Sequence, residues 1–278
     1  MKKFRFTLWV AIALVATIPA YSQNYDAPYS VPALALGGQQ LFISDAFSAS
    51  GNPALCAKYD EKSTTKFRLG IMAMNHYLIN TLKQGGAGGN ANINKTDAIG
   101  FNIQYEGTVN LKKNTFILAY SKRITNRLFL GVSFFYLNLF EQTIGNKNII
   151  TGKAGLYFQS TKKIAFGLTI FNPFATKLTQ STSERISSNM ISGISYEVSK
   201  QLKCYLSYQL GLHEPNQLMF GLCYSSHPML DWFLGCNSSN DLLSFGTTIK
   251  SKSIRIQLAL NYQQRLGVSS AMGFEWGR

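Results

Sequence analysis

Residues 254–264 read Ile254, Arg255, Ile256, Gln257, Leu258, Ala259, Leu260, Asn261, Tyr262, Gln263, Gln264, with an apolar residue at every even position from 254 to 262. The odd positions between them are polar or small. Strict two-residue alternation puts one face of a β-strand in an apolar medium and the other in a wet or small-residue one. The preceding stretch does the same, with Leu243, Phe245, Thr247 and Ile249 set against Ser244, Gly246, Thr248 and Lys250, and only Ser251, Lys252 and Ser253 separate the two. A strand of about ten residues crosses a tilted bilayer, whereas strands of soluble domains run to about five or six. The hairpin therefore predicts one unit of a membrane barrel.

The same pattern recurs along most of the chain. Strands are expected at 66–75, 99–106, 115–122, 128–140, 149–159, 164–171, 190–198, 202–210, 217–225, 231–237, the two arms of the hairpin, and 268–276. That makes thirteen. Short joints (160–163, 199–201, 251–253) alternate with longer polar ones (177–188, and 81–97 with Gly85, Gly86, Gly88 and Gly89), as in barrels with tight turns on one side and loops on the other. The glycine run reads as a mobile loop, because no strand and helix flank it to make a phosphate cradle. A barrel with both termini on one side needs an even number. Either 34–44 adds a strand to make fourteen, or 66–75 does not span and twelve remain.

The fold expected is thus an all-β, up-and-down transmembrane barrel of 12–14 antiparallel strands with an N-terminal plug. A secreted β-sandwich is the competing fold; it alternates too, but needs neither so many ten-residue strands nor an apolar belt all the way round. Tyr120, Tyr136, Tyr157, Tyr196, Tyr224, Trp232, Tyr262 and Trp276 lie on strands, many near an end, as interfacial girdles require.

The first residues set the address. A basic start (Lys2, Lys3, Arg5), an apolar run over 6–18 and small residues at Ala20 and Ser22 form a secretory signal spanning 1–22. The organisation expected is signal 1–22, plug 23–63 and barrel 64–278, located in the cell outer membrane. Loss of the leader takes the net charge from +14 to +11. Many of the remaining cations sit at strand ends (Lys122, Lys162, Lys200, Lys250 and their neighbours), where lipid phosphates are the natural partner. No basic stripe with a nucleic-acid motif is present, so no nucleic acid is expected. Mean hydropathy near zero (−0.01) suits a barrel whose two faces cancel. The four cysteines (Cys56, Cys204, Cys223, Cys236) read as free, buried, small apolar residues, since the pattern points Cys204 and Cys223 to opposite faces.

Nothing points to catalysis. His76, His213 and His227 fall in or beside turns, no serine sits in a nucleophile elbow, and no His–carboxylate pair has metal-ligand spacing. The expectation is a protein that is not an enzyme, with no cofactor and no metal.

Between the leader and the first strand lie Leu36, Gly37, Gly38, then Asp45, then Asn52, Pro53, Ala54. This order resembles the opening of PorV/PorQ-type outer-membrane proteins, relatives of the FadL fatty-acid channels. A second echo is Phe166, Gly167, Leu168, Thr169, Ile170, Phe171, Asn172, Pro173, followed by Gly193, Ile194, Ser195, Tyr196, which is similar to the mid-barrel strand and Asn-Pro loop of such proteins from Bacteroidota. The resemblance implies plug-motif residues Gly37, Gly38, Asp45, Asn52, Pro53 and Ala54, with a loop bend at Asn172 and Pro173. It implies a binding or scaffold component of an envelope or type IX secretion machine, with secretion or assembly subunits as partners. The alternative is a FadL-like channel for a small hydrophobic molecule, gated by the plug, with the Asn172–Pro173 bend as a lateral kink.

Overall fold

The computed structural model describes residues 30–59, 67–79, 82–108, 110–142, 145–176, 186–212, 215–238 and 242–277. The proposed leader, His213 and most of the 177–188 joint lie outside them. The strands are β1 (Phe67–Asn75), β2 (Lys83–Asn92), β3 (Asp97–Gly107), β4 (Leu111–Arg123), β5 (Leu128–Glu141), β6 (Gly145–Gln159) and β7 (Ile164–Phe171). They continue as β8 (Asn189–Glu197), β9 (Leu202–Gly211), β10 (Gln217–His227), β11 (Leu230–Asn237), β12 (Leu242–Lys250), β13 (Ile254–Gln263) and β14 (Gly267–Gly277). Every strand pairs antiparallel with its sequence neighbours, and β1 pairs with β14 to close the barrel. Closure removes every sheet edge, so the β-sandwich is excluded.

Fourteen strands fall within the expected range, but the extra one is not 34–44. It is β2, the glycine run read as a loop. Its outward residues are Gly85, Ala87, Gly89 and Ala91, too small to write an apolar alternation. Neighbouring strands cover the gap: a Cβ on Gly89 would lie 2.7 Å from Leu69 Cδ2 and 2.9 Å from Phe101 Cε1, so these side chains lean across β2 from both sides. β4 and β6 begin four residues earlier than expected. Their first turns carry Lys112, Lys113 and Asn114, and Asn146, Lys147 and Asn148, which show no apolar pattern because they stand near the rim.

The outward face is apolar all round, with Ile71, Leu118, Val132, Leu234, Leu258 and Met272 each at least 46% exposed. A continuous apolar belt of this extent on a closed barrel is a surface made for lipid. Aromatics bracket it. Tyr120, Tyr196, Tyr224, Trp232 and Trp276 ring the rim that holds the chain's strand termini, while Tyr105, Tyr136, Tyr208 and Tyr262 ring the far rim. Tyr157, counted from sequence with the girdle, instead points into the lumen at 3% exposure.

The terminus-side rim has only tight connections: 93–96, 124–127, 160–163, 198–201, 228–229 and 251–253. The clustered cations anticipated at strand ends all gather here, several in ion pairs: Lys122 with Asp97 at 3.8 Å, Lys203 with Glu197 at 3.7 Å, and Lys250 with Asp231. All four cysteines are free, but only Cys56 and Cys223 are buried. Cys204 is half-buried and Cys236 exposed, both on the outer wall.

Candidate functional site

The lumen holds residues 30–57. Helix α1 (Val31–Ala35) starts from Ser30, whose hydroxyl accepts from Ala33 N, and has Pro32 within its first two positions. It stops at once. Gly37 N donates to Leu34 O at 3.2 Å and Gly38 N to Ala33 O at 2.8 Å, a Schellman turn that places both glycines at positive φ (73° and 95°). The chain then crosses the lumen and turns at Asp45 to Ser50. Asn52 caps a short 3-10 helix (Pro53–Ala57) by accepting from Ala54 N at 3.1 Å.

A belt of inward glycines seats this segment. Gly70 pairs with Gly88, Gly131 with Gly155, Gly167 with Gly193, and Gly221 with Gly235 across adjacent strands. A side chain at most of these positions would strike the segment. A Cβ on Gly131 would lie 2.5 Å from Ala54 N, one on Gly70 2.8 Å from Ala46 Cβ, one on Gly235 2.6 Å from Leu36 Cα, and one on Gly246 2.5 Å from Ala35 Cβ. Removing side chains from the wall opens space for backbone to approach. Val31, Leu36, Leu41, Phe42, Phe47 and Leu55 fill it, packing with inward wall residues such as Met72, Phe129, Ile191 and Phe233 into one apolar core.

Polar wall residues then satisfy the segment's backbone. Ser133 Oγ donates to Ala49 O at 2.7 Å, Ser121 Oγ to Ala54 O at 3.0 Å, and Lys153 Nζ to Ser50 O at 2.6 Å, while in the other direction the segment's Gln39 Nε2 donates to the wall's Met219 O at 2.8 Å. Asn52 Nδ2 reaches both Leu41 O (3.0 Å) and Leu156 O (3.2 Å), joining segment to wall. Such bonds matter because an irregular backbone buried at membrane depth has no water to turn to.

Asp45 is the segment's acidic hub. Its carboxylate accepts from Phe47 N at 2.9 Å and from the Ser30 hydroxyl, and its carbonyl from Asn90 Nδ2 at 2.6 Å. Burial, reinforced by the Glu275 carboxylate, pushes Asp45 up to about 7. Glu275 in turn accepts from Ala46 N (3.1 Å) and Arg255 Nη1 (3.0 Å). At the segment's end burial lowers Lys58 to about 7, with Lys203 and Arg68 adding to the effect. Lys58 Nζ sits 3.8 Å from the Tyr157 ring centroid and donates to Tyr157 Oη at 2.6 Å.

All six residues of the Gly37-to-Ala54 motif are thus brought into the lumen. Asn172 and Pro173 stand apart at the far rim, after β7. Asn172 is left-handed (φ 50°) and fully buried. It accepts from Thr151 Oγ1 at 2.8 Å and Thr176 N at 3.1 Å and donates to Ile186 O at 3.0 Å, tying both ends of the β7–β8 connection to the wall. β7 and β8 pair along their length, from Ile164↔Tyr196 to Phe171↔Asn189, so the wall is continuous at this bend.

On either side of α1 lie cavities. The far-rim cavity, about 170 Å³, is lined by Leu34, Met74, Met219 and Leu242 together with Gly37, Gly38 and several carboxamides. Tyr77 covers it from the β1–β2 connection, held by Tyr77 N to Ser269 Oγ (2.9 Å) and Tyr77 Oη to Gln263 Oε1 (3.0 Å). Tyr77 and Leu78 have φ of 54° and 56°, a conformation side chains other than glycine, Asn and Asp rarely take. Strain of this kind, about 1–3 kcal/mol per residue, persists where surrounding contacts over-determine it. At the terminus side two cavities, about 220 and 380 Å³, share Phe42, Lys203 and Tyr205; neither shares a lining residue with the far-rim cavity. The sequence pattern placed His76 at the close of a strand and gave no role to Tyr77, Met74 or Met219, because a lining scattered over eight strands, the lumenal segment and the β1–β2 connection leaves no local motif.

No family model and no curated protein sequence matches the chain. Its backbone is similar to that of the CymD monoaromatic hydrocarbon channel, at 14% identity and a TM-score of 0.66 over 89% of this chain and 97% of that one. It is similar also to the Ralstonia pickettii toluene transporter TbuX (13% identity, TM-score 0.65, 91% and 99% covered). A Pseudomonas aeruginosa FadL homologue aligns at 10% identity and a TM-score of 0.55 over 94% and 97%. At such identities the likeness establishes a shared barrel fold.

Proposed function

We propose that the protein is an outer-membrane channel for a small hydrophobic molecule, with residues 30–57 acting as its plug. The observation that carries this reading is the far-rim cavity. About 150 Å³ is room enough for benzene, and the space between Leu34, Met74, Met219 and Leu242 on one hand and the carboxamides on the other is about 170 Å³. It lies against α1, so a molecule there touches the segment that would have to yield for it to pass. The fold shared with a monoaromatic hydrocarbon channel and a toluene transporter agrees with it. The Schellman turn at Gly37 and Gly38, the Asp45 hub and the Asn52-Pro53-Ala54 cap hold the plug's shape. Asn172 and Pro173 anchor the far-rim connection in place of a lateral kink. The short-turn rim faces the periplasm.

One observation favours a second reading, a PorV/PorQ-type scaffold for secretion or assembly subunits: most of the lumen is filled, as a barrel that only holds partners would allow. A pull-down in mild detergent from the native outer membrane, with mass spectrometry of protein and lipid fractions, separates the two. A lone barrel carrying a small hydrophobic compound, lost when Met219→Trp fills the cavity, is the result expected. Stoichiometric partner subunits with no bound compound would replace the channel by the scaffold.

A further inference from the structure

The far-rim cavity has a chemical character that a plain hydrocarbon leaves unused. Among the described residues its lining contains no Lys, Arg, Asp or Glu, whereas the two terminus-side cavities contain Lys58, Lys203, Lys250, Arg255, Asp45 and Glu197 between them. A molecule chosen for its charge would find a partner in those linings and none in that of the far-rim cavity; Glu106, registered opposite Gln84, and Lys113 hold each other at 2.6 Å. What the far rim offers is carboxamides, seven in all.

Three of them are set up as donors. Gln84 Oε1 lies 2.6 Å from His76 Nε2, and since an amide oxygen only accepts, that nitrogen carries the hydrogen. Gln217 Oε1 accepts from Asn237 Nδ2 at 2.9 Å, and Gln263 Oε1 accepts from Tyr77 Oη at 3.0 Å. With each oxygen engaged by the protein, the NH2 group is the end of the carboxamide left to donate. Gln84 is 4% exposed and its Nε2 has no acceptor among the described residues. A buried amide donor without an acceptor is unfavourable, and a ligand oxygen relieves it. Polar cavities of this size hold water. A hydrocarbon has to displace that water without replacing its hydrogen bonds, whereas a ring carrying an oxygen replaces one of them.

We infer that the cavity selects an uncharged single-ring molecule bearing one acceptor oxygen, such as an aryl ketone, over the bare hydrocarbon of the same shape. The apolar side chains take the ring, the carboxamides of Gln84, Gln217 and Gln263 take the oxygen, and the lack of fixed charge excludes carboxylates and amines. This rests on the channel reading of the same cavity.

Acetophenone and α-methylstyrene have nearly the same shape and differ in a carbonyl oxygen against a methylene. Equilibrium dialysis of the purified full-length protein against matched detergent micelles measures each while cancelling micelle uptake. The ketone is expected to bind at least tenfold more tightly. Gln84→Met and Gln217→Met are each expected to lower ketone affinity severalfold more than alkene affinity, with heat-modifiable gel mobility reporting the folded barrel. The ligand comparison on the wild-type protein stands whether or not a variant folds. Saturable binding of both ligands with equal affinity would overturn the inference while leaving the channel intact. Saturable binding of neither would overturn both.

Discussion

Replacing Gly131 by valine tests whether the glycine belt seats the lumenal segment. A Cβ at Gly131 falls 2.5 Å from Ala54 N and 2.6 Å from Pro53 O. Normal contact is about 3.5 Å, so the overlap is about 1 Å. It is against backbone of a capped 3-10 helix, which cannot rotate aside as a side chain would. Overpacking of this kind costs about 1–3 kcal/mol, and a backbone clash belongs at the upper end. At about 1.4 kcal/mol per decade, 3 kcal/mol raises the undocked population about 100-fold. Cys56, two residues beyond Ala54, is a native reporter: it is fully buried, and burial pushes its thiol up to about 12. With Cys204, Cys223 and Cys236 changed to serine, the maleimide labelling rate of Cys56 tracks the opened state when reclosing is fast. Labelling about 100-fold faster in Gly131→Val is expected. Gly152→Ala, which faces outward and whose Cβ would meet only Ser133 O at 3.3 Å, should label at the wild-type rate. A Gly131→Val barrel that is folded yet labels no faster than wild type would refute the seating argument.

The segment's docking should be weakest near pH 7. Asp45, raised to about 7 in the folded state, stabilises docking below its ordinary pKa of 3.8, and this contribution is lost as pH rises from there through 7. Lys58, lowered to about 7, adds stability as pH climbs from 7 towards its ordinary 10.5. Hydrogen exchange of segment amides, corrected for intrinsic rate, should therefore show most protection at pH 5 and pH 9, and Asp45→Asn should flatten the acid side; a monotonic profile through neutral pH would contradict these assignments. Asn172→Ala leaves Thr151 Oγ1 and Thr176 N without their acceptor, each worth about 1–3 kcal/mol when buried. It should speed exchange at Thr176 and Ile186 while the barrel stays folded; unchanged exchange would mean that Asn172 is not the anchor. Tyr77→Gly removes the cavity cover together with its Oη bond to Gln263, so the ring compound should be admitted faster; slower entry would show Tyr77 to be a ligand contact and not a cover.

The wall was legible because lipid demands a period of two, and thirteen strands write that period in large residues. β2 does not, since its outward face is glycine and alanine roofed by Leu69 and Phe101, and that cover becomes visible only once pairing brings β1 and β3 beside it. The Gly37-to-Ala54 motif was legible through turn and cap chemistry that is local in sequence. The belt that receives it was not: Gly131 and Gly155 are ordinary inward positions until register sets them side by side opposite Pro53. The far-rim site was hidden for the same reason. Met74, Gln84, Met219 and Gln263 belong to β1, β2, β10 and β13, and each alone reads as one more inward residue. Tyr157 shows the reverse error, where an aromatic near a strand end suits the girdle but its parity places it under Lys58.

The most direct test of the channel is the initial uptake of labelled acetophenone by cells whose outer membrane contains the wild-type protein, the Met219→Trp variant, or neither. Met219 lines the far-rim cavity at 2% exposure, so the larger ring fills the space a substrate would occupy. Uptake severalfold above that of cells lacking the protein, and lost in Met219→Trp at equal amounts of folded barrel, is the expected result. Equal uptake in all three would contradict passage through this lumen.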